Sequence, residues 1–137
     1  MKAKISWNGE ARFEAEAESR HTVLMDGPPE HGGKNSGPRP MEMMLMAIGG
    51  CAAFDVVHIL KKAHQSIVSC DAQVEAVRSD EVPAVFTKIH LHFQVSGDNI
   101  KENIVCNAVK LSAEKYCSAS IMLSKGGVEI THSFELI

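Results

Sequence analysis

The run from Met41 to Leu60 is the most apolar stretch of the chain, and Gly49-Gly50-Cys51 sits at its middle. Its apolar residues fall on nearly every side of a helical projection, which is the pattern of a helix surrounded by protein. Glu42, Asp55 and His58 interrupt the run, and ionised groups of that kind are costly in lipid, so a membrane span is not expected. A buried helix of this length obliges the rest of the chain to wrap it. The 137 residues, 45% of them hydrophobic, suffice for one core and not for two, so residues 1–137 read as a single domain.

The segments flanking this helix alternate with the period of strands. Ala3, Ile5 and Trp7, then Ala11, Phe13, Ala15 and Ala17, predict a hairpin around Asn8-Gly9, and His21 to Met25 predict a third strand. Residues 26–40 are rich in Gly and Pro and read as a loop, with Pro40 as the first helical residue. Beyond the helix, Val74 and Ala76 and the run Val85 to Val95 predict two strands joined around Pro83. Asp98 is placed to cap a second helix that carries Ile100, Ile104, Ala108 and Leu111 on one face and ends near Cys117. A short ambiguous helix follows, and Gly126-Gly127 lead to a last strand with Val128, Ile130, His132, Phe134 and Leu136 on one face. The fold class is α+β, in the order β-β-β-α-β-β-α-(α)-β.

A net charge of -3 with both signs interspersed lacks the clustered cations that nucleic acid requires. Met-Lys-Ala-Lys-Ile-Ser-Trp enters strand alternation at once and has no secretory h-region, so a cytoplasmic location is expected. In that compartment the four cysteines read as reduced thiols or a catalytic pair rather than a disulfide framework. Cys51 follows two glycines that weaken a helix and let another group come close, or it is a small buried hydrophobe. Cys117, at the end of the second helix, meets the negative end of the helix dipole and suits a resolving thiol. Cys70 and Cys106 read as packing residues.

Cys51, Asp55 and His58 share one stripe of the long helix, the residue types of a cysteine hydrolase. The axial rise between Cys51 and His58 is about 10 Å, too far for the hydrogen bond such a triad needs. His90 and His92 share a strand face, but the sequence places no third ligand beside them, so a solvated polar face is the expectation and no metal or cofactor is assigned. Met43, Met44, Met46 and Phe54 are candidates for an apolar pocket, or for plain core.

Two segments carry a family resemblance. Pro-Arg-Pro-Met-Glu-Met-Met-Leu-Met-Ala-Ile-Gly-Gly-Cys-Ala-Ala-Phe-Asp-Val-Val, from Pro38, resembles the first-cysteine motif of the OsmC/Ohr family, and Ser-Ala-Glu-Lys-Tyr-Cys-Ser, from Ser112, resembles its second. The similarity extends over essentially the whole chain. It implies an OsmC-like fold in an intertwined homodimer, with Cys51 as the peroxidatic thiol and Cys117 as the resolving one. Organic hydroperoxides are the implied substrates, and a dithiol of the dihydrolipoamide type is the implied reductant. The family also activates its first thiol with a Glu and an Arg. Glu42 matches the Glu, but lies about 13 Å along the axis from Cys51 of its own helix and on the opposite face, so it is expected to approach Cys51 of the partner subunit. Arg20 resembles the position of the Arg, with Arg39 as the alternative. The other reading left open is a dimer of the same fold that binds an apolar small molecule and turns over weakly or not at all.

Overall fold

A computed structural model describes all 137 residues. The elements are β1 (Ala3–Trp7), β2 (Phe13–Ala17), β3 (Thr22–Met25), a 3-10 turn (Pro29–His31), α1 (Pro40–Lys62), β4 (Ser66–Arg78), β5 (Phe86–Asp98), α2 (Glu102–Leu111), a π-helical turn (Ser112–Tyr116), α3 (Ser118–Lys125) and β6 (Glu129–Leu136). This is the α+β order expected from the sequence. Two compact units divide the chain, Met1–Met44 and Leu45–Ile137.

In the first unit β1, β2 and β3 form an antiparallel sheet in that order. Ile5 opposes Ala15, which opposes Val23, and Trp7 opposes Phe13. Residues directly opposite one another share a face, so the alternation gathers the apolar side chains on one side. That side is not covered: Ile5 is 55% exposed and Trp7 67%. The connection between β1 and β2 is wider than an Asn-Gly turn. Gly9 and Glu10 both take left-handed backbone, Asn8 N–H donates to Arg12 O at 2.9 Å, and the Trp7 indole N–H donates to Glu10 O at 2.9 Å. Ala11 is therefore loop, not strand.

The loop after β3 is held by one side chain. Buried Asp26 accepts from Gly27 N at 2.8 Å, Lys34 N and Ser36 N at 3.0 Å each, and the Ser36 hydroxyl at 2.6 Å. Hydrogen bonds to the ionised carboxylate, that of the Ser36 hydroxyl first, hold its pKa far below the usual range. The loop thus reaches α1 as a pinned segment. At the helix start Glu42 Oε2 accepts from Arg39 N at 2.8 Å, the reach-back half of a capping box.

In the second unit β5 lies between β4, antiparallel, and β6, parallel. Ile89, Leu91, Phe93 and Val95 alternate into the core from this central strand. Against them pack Ala52, Val56 and Leu60 of α1, Val105, Ala108 and Val109 of α2, and Cys117. By length and composition α1 passes for a membrane span, yet its Ile48, Ala52, Val56 and Leu60 are fully buried within the protein. Gly49 serves close packing here: a Cβ on it would stand 2.8 Å from Val74 Cγ2 of β4. Gly50 would meet nothing.

The sequence reading set β4 too short, because only Val74 and Ala76 stood out; hydrogen bonding to β5 extends it from Ser66 to Arg78. Asp98 ends β5 and does not cap α2, whose N-cap is Lys101 with no side-chain cap bond.

Two outcomes test these assignments. Replacing Phe93, fully buried, with Ala should lower the unfolding free energy by about 3–5 kcal/mol, read from urea denaturation. The contribution of Asp26 is complete above the ordinary carboxylate range and is lost as pH falls toward its depressed pKa. Asp26→Asn should therefore melt below wild type near neutral pH, with the Tm gap closing as pH is lowered toward about 2; a gap independent of pH would refute the clamp.

Candidate active site

Three side chains from two elements converge in the second unit. On α1 the fully buried Ile48, Ala52, Val56 and Leu60 mark the face turned to the sheet. Cys51 and Asp55 each precede a member of that stripe, so they fall at its edge and are half-buried. Four residues apart, they stack on one side of the helix.

Cys117 reaches them because the second helix does not run straight to it. After Leu111 the chain widens into a π-helical turn, closed by Cys117 N–H donating to Ser112 O at 2.8 Å. Cys117 then takes extended backbone and becomes the N-cap of α3. Its sulfur accepts from Ser120 N–H at 3.4 Å. The buried Ser112 hydroxyl donates to Ala52 O at 2.9 Å, tying this turn to α1 next to Cys51. Consequently Cys51 Sγ, Cys117 Sγ and a carboxylate oxygen of Asp55 lie within 4.8 Å of one another.

This corrects the expected dipole. The sequence placed Cys117 at the negative end of one helix; the structure places it at the positive end of the next, because the π-helical turn intervenes. That end favours a thiolate. Burial nevertheless dominates and pushes the Cys117 thiol up, with hydrogen bonding from Ser120 pulling it down and Cys51 adding to the rise. Burial also raises the pKa of Asp55, against the opposing influence of His58. Only His58, among the groups perturbing Asp55 and Cys117, can carry positive charge. His58 is itself exposed and stacked on Phe54, ring centroids 6.1 Å apart. The three converging groups are thus all potential anions, with no Lys or Arg acting on these two.

Ser120 adds an open valence. It is fully buried and its hydroxyl oxygen has no hydrogen-bond partner, although it lies close enough to the Cys117 sulfur to favour the ionised form. The sequence reading missed both Asp55, set aside with the hydrolase triad, and Ser120. The four-residue spacing of Cys51 and Asp55 was the usable signal.

The other candidates lie apart from this cluster or are engaged elsewhere. Glu42 and Arg20 belong to the first unit: Glu42 caps α1, and Arg20, exposed, pairs with Glu16 at 3.4 Å. Arg39 donates to Asn35 Oδ1 at 2.7 Å. Met44, Met46 and Phe54 are exposed and line no enclosed cavity. One side of α1 instead offers an open groove of about 370 Å³ lined by Gly50, Ala53, Phe54, Val57, His58 and Lys61. Cys70 packs at the edge of the core and its thiol is pushed up by burial. Cys106 is exposed, which corrects its reading as a packing residue: it lies on the outer side of α2, opposite Val105 and Val109 of the core.

His90 and His92 stand on the outer face of β5 within a hydrogen-bonded row. His90 Nδ1 meets Thr131 Oγ1 at 2.7 Å, His90 Nε2 and His92 Nδ1 both meet Ser133 Oγ at 2.8 Å, and His92 Nε2 lies 3.5 Å from Glu135. Parallel pairing of β5 with β6 builds this row.

Comparison with known proteins places this geometry. Residues 33–133 match the family model described as OsmC-like protein. The chain is 48% identical over 140 residues to Protein YhfA of Escherichia coli (strain K12), a match covering 100% of this chain and 98% of that protein. Its structure resembles that of the OsmC like protein from Mycoplasma pneumoniae, with TM-score 0.85 and 16% identity over 99% of this chain and 96% of that one. It also resembles the organic hydroperoxide resistance protein OsmC from Legionella pneumophila, with TM-score 0.71 and 17% identity over 98% and 95%. At those two identities the likeness is one of fold.

The four thiols should separate by access. Treated with iodoacetamide under native conditions and followed by peptide mass spectrometry, Cys106 should alkylate first and Cys117, fully buried, last. Early modification of Cys117 would contradict its burial.

Proposed function

This chain belongs to the OsmC-like protein family, and from that premise we propose that it is a thiol-dependent peroxidase that reduces organic hydroperoxides through Cys51 and Cys117. The observation that carries this reading is the approach of the two sulfurs to within 4.8 Å, close enough for side-chain rotation to close a disulfide. Cys51, the more accessible of the pair, attacks as the thiolate. Its sulfur takes the outer peroxide oxygen, the O–O bond breaks, the alkoxide gains a proton to leave as an alcohol, and Cys51 becomes a sulfenic acid. The Cys117 sulfur then displaces hydroxide, which leaves as water with the Cys117 proton, and a disulfide forms. A dithiol of the dihydrolipoamide class supplies two electrons and two protons to regenerate both thiols. Attack on the accessible Cys51 sulfur expels Cys117 as the leaving thiolate, where Ser120 N–H receives it.

Activation of Cys51 needs positive charge that its surroundings in this chain do not supply. We assign that role to a homodimer in which Arg20, or Arg39, and Glu42 of one subunit approach Cys51 of the other. Their present contacts would have to be exchanged, Arg20 from Glu16 and Glu42 from the Arg39 N–H. Uncovered apolar surface favours association: Trp7 and Ile5 on the first sheet and Phe54, 71% exposed, on α1. A cycle that returns both thiols to the reduced state belongs in the cytoplasm.

The missing cation also favours a second reading, a weakly active dimer holding an apolar molecule against the α1 groove. One assay decides. Reduced protein given cumene hydroperoxide and dihydrolipoamide should consume peroxide; Cys51→Ser should fall to background, and Cys117→Ser should stop after one turnover with a sulfenic acid that dimedone traps. Consumption that survives in Cys51→Ser defeats the mechanism, and wild-type protein that consumes nothing leaves the binding reading.

A further inference from the structure

We infer that the reduced Cys51–Asp55–Cys117 cluster is a binding site for a divalent zinc-like cation, held by two thiolates and one carboxylate with the fourth position open. The inference goes beyond the peroxidase reading and holds whether or not peroxide is turned over.

The geometry is that of a contracted set of metal donors before contraction. In a tetrahedral zinc site with Zn–S near about 2.3 Å and Zn–O near about 2.1 Å, ligand atoms stand about 3.4–3.8 Å from one another. Here all three lie within 4.8 Å, a gap that small side-chain rotations close. The donors come from two elements, α1 and the start of α3, and the Ser112 to Ala52 hydrogen bond locks those elements together. The site is therefore preorganised and does not have to be assembled from loops. Two sulfurs and an oxygen select zinc and its borderline neighbours over magnesium or calcium, which take oxygen alone.

The electrostatics point the same way. Three groups that can each become negative share a half-buried space, and the surrounding protein offers no Lys or Arg in compensation. A divalent cation neutralises two of those charges in place. Cys117 also has the outer contacts that a ligating thiolate uses: Ser120 N–H already donates to its sulfur. The orphaned, fully buried Ser120 hydroxyl gains an acceptor once that sulfur is ionised. Neither the neutral thiol nor a disulfide gives this hydroxyl as good a partner. Loading is not a redox step: the cation binds, both thiol protons leave to solvent, and no electrons move. It requires both sulfurs reduced, so metal and the Cys51–Cys117 disulfide exclude one another.

The test uses the full chain, reduced and free of oxygen, with cobalt as the spectroscopic probe for zinc. Cobalt added to protein bearing four free thiols should bind one ion per chain, with thiolate-to-cobalt charge-transfer absorption and the intense visible bands of a four-coordinate centre. Zinc should displace it and shield two thiols from a colorimetric thiol reagent. The double variant Cys70→Ser/Cys106→Ser should behave as wild type, whereas Cys51→Ser and Cys117→Ala should each lose the two-thiolate spectrum. Asp55→Asn, which leaves both sulfurs, should bind at least about tenfold more weakly while keeping the charge-transfer band. Circular dichroism on each variant separates loss of the site from loss of the fold. The proposal is overturned if fully reduced wild type shows no sulfur-to-cobalt band at excess metal, if the band persists in both Cys51→Ser and Cys117→Ala, or if Asp55→Asn binds as tightly as wild type. None of these readings involves peroxide, so failure here and failure of the peroxidase assay are distinguishable.

Discussion

Burial of one side of α1 against β5 is the constraint from which the site follows. Ile48, Ala52, Val56 and Leu60 recur every four residues and are fully buried, and against them stand Leu91, Phe93 and Val95. Burying side chains of this size contributes about 1.5–3 kcal/mol each for the larger ones, so the helix has no freedom to rotate about its axis. Once that face is fixed, so is the one beside it. Cys51 and Asp55 are set at the margin of the core, wet enough to react or exchange a proton and dry enough for burial to matter. Gly49 permits the close approach to β4 that this orientation requires.

The second determinant is a local irregularity. A regular helix continued from α2 would carry Cys117 past α1 with its sulfur at the negative end of the dipole. The π-helical turn over Ser112–Tyr116 uses a wider loop of backbone, frees Cys117 to take an extended conformation, and restarts the chain as α3. Such bulges are costly to helix geometry and are found where function needs them. This one delivers a buried sulfur to the N-terminal end of a helix, and the Ser112 hydroxyl secures the turn to α1.

Together these features create a pocket with surplus negative potential. Two thiols and a carboxylate sit within 4.8 Å, and burial raises the pKa of Asp55 and of Cys117. In such surroundings the groups cannot all ionise without a counter-charge. A disulfide removes two of the ionisable groups, a guanidinium from another subunit would balance them, and a metal ion would bind them. Redox chemistry, dimerisation and metal binding are on this view three responses to one electrostatic condition, and the competition among them is set by which partner is at hand.

Much of the architecture could be read from the chain. The buried helix, the N-terminal hairpin, the alternating run Val85 to Val95 and the α+β order all appear in the periodicity of apolar residues, because a residue's side of a strand or helix depends on its position in the repeat. Both cysteines of the site were visible too, through their motifs and their surroundings. Other features were not visible. The extent of β4 depends on a partner strand distant in sequence, the loop after β3 is ordered by a carboxylate that gathers donors up to ten residues away, and parallel pairing of β5 with β6 aligns His90 and His92 with Ser133. Asp55 could be counted four residues from Cys51 but not seen to meet Cys117, and the dipole at Cys117 was reversed by a turn whose hydrogen bonds leave no mark in composition. Local periodicity decides which face of an element is apolar; which groups from separate elements share a space is decided only when those faces pack, since that proximity is a property of the assembled core and not of any segment within it.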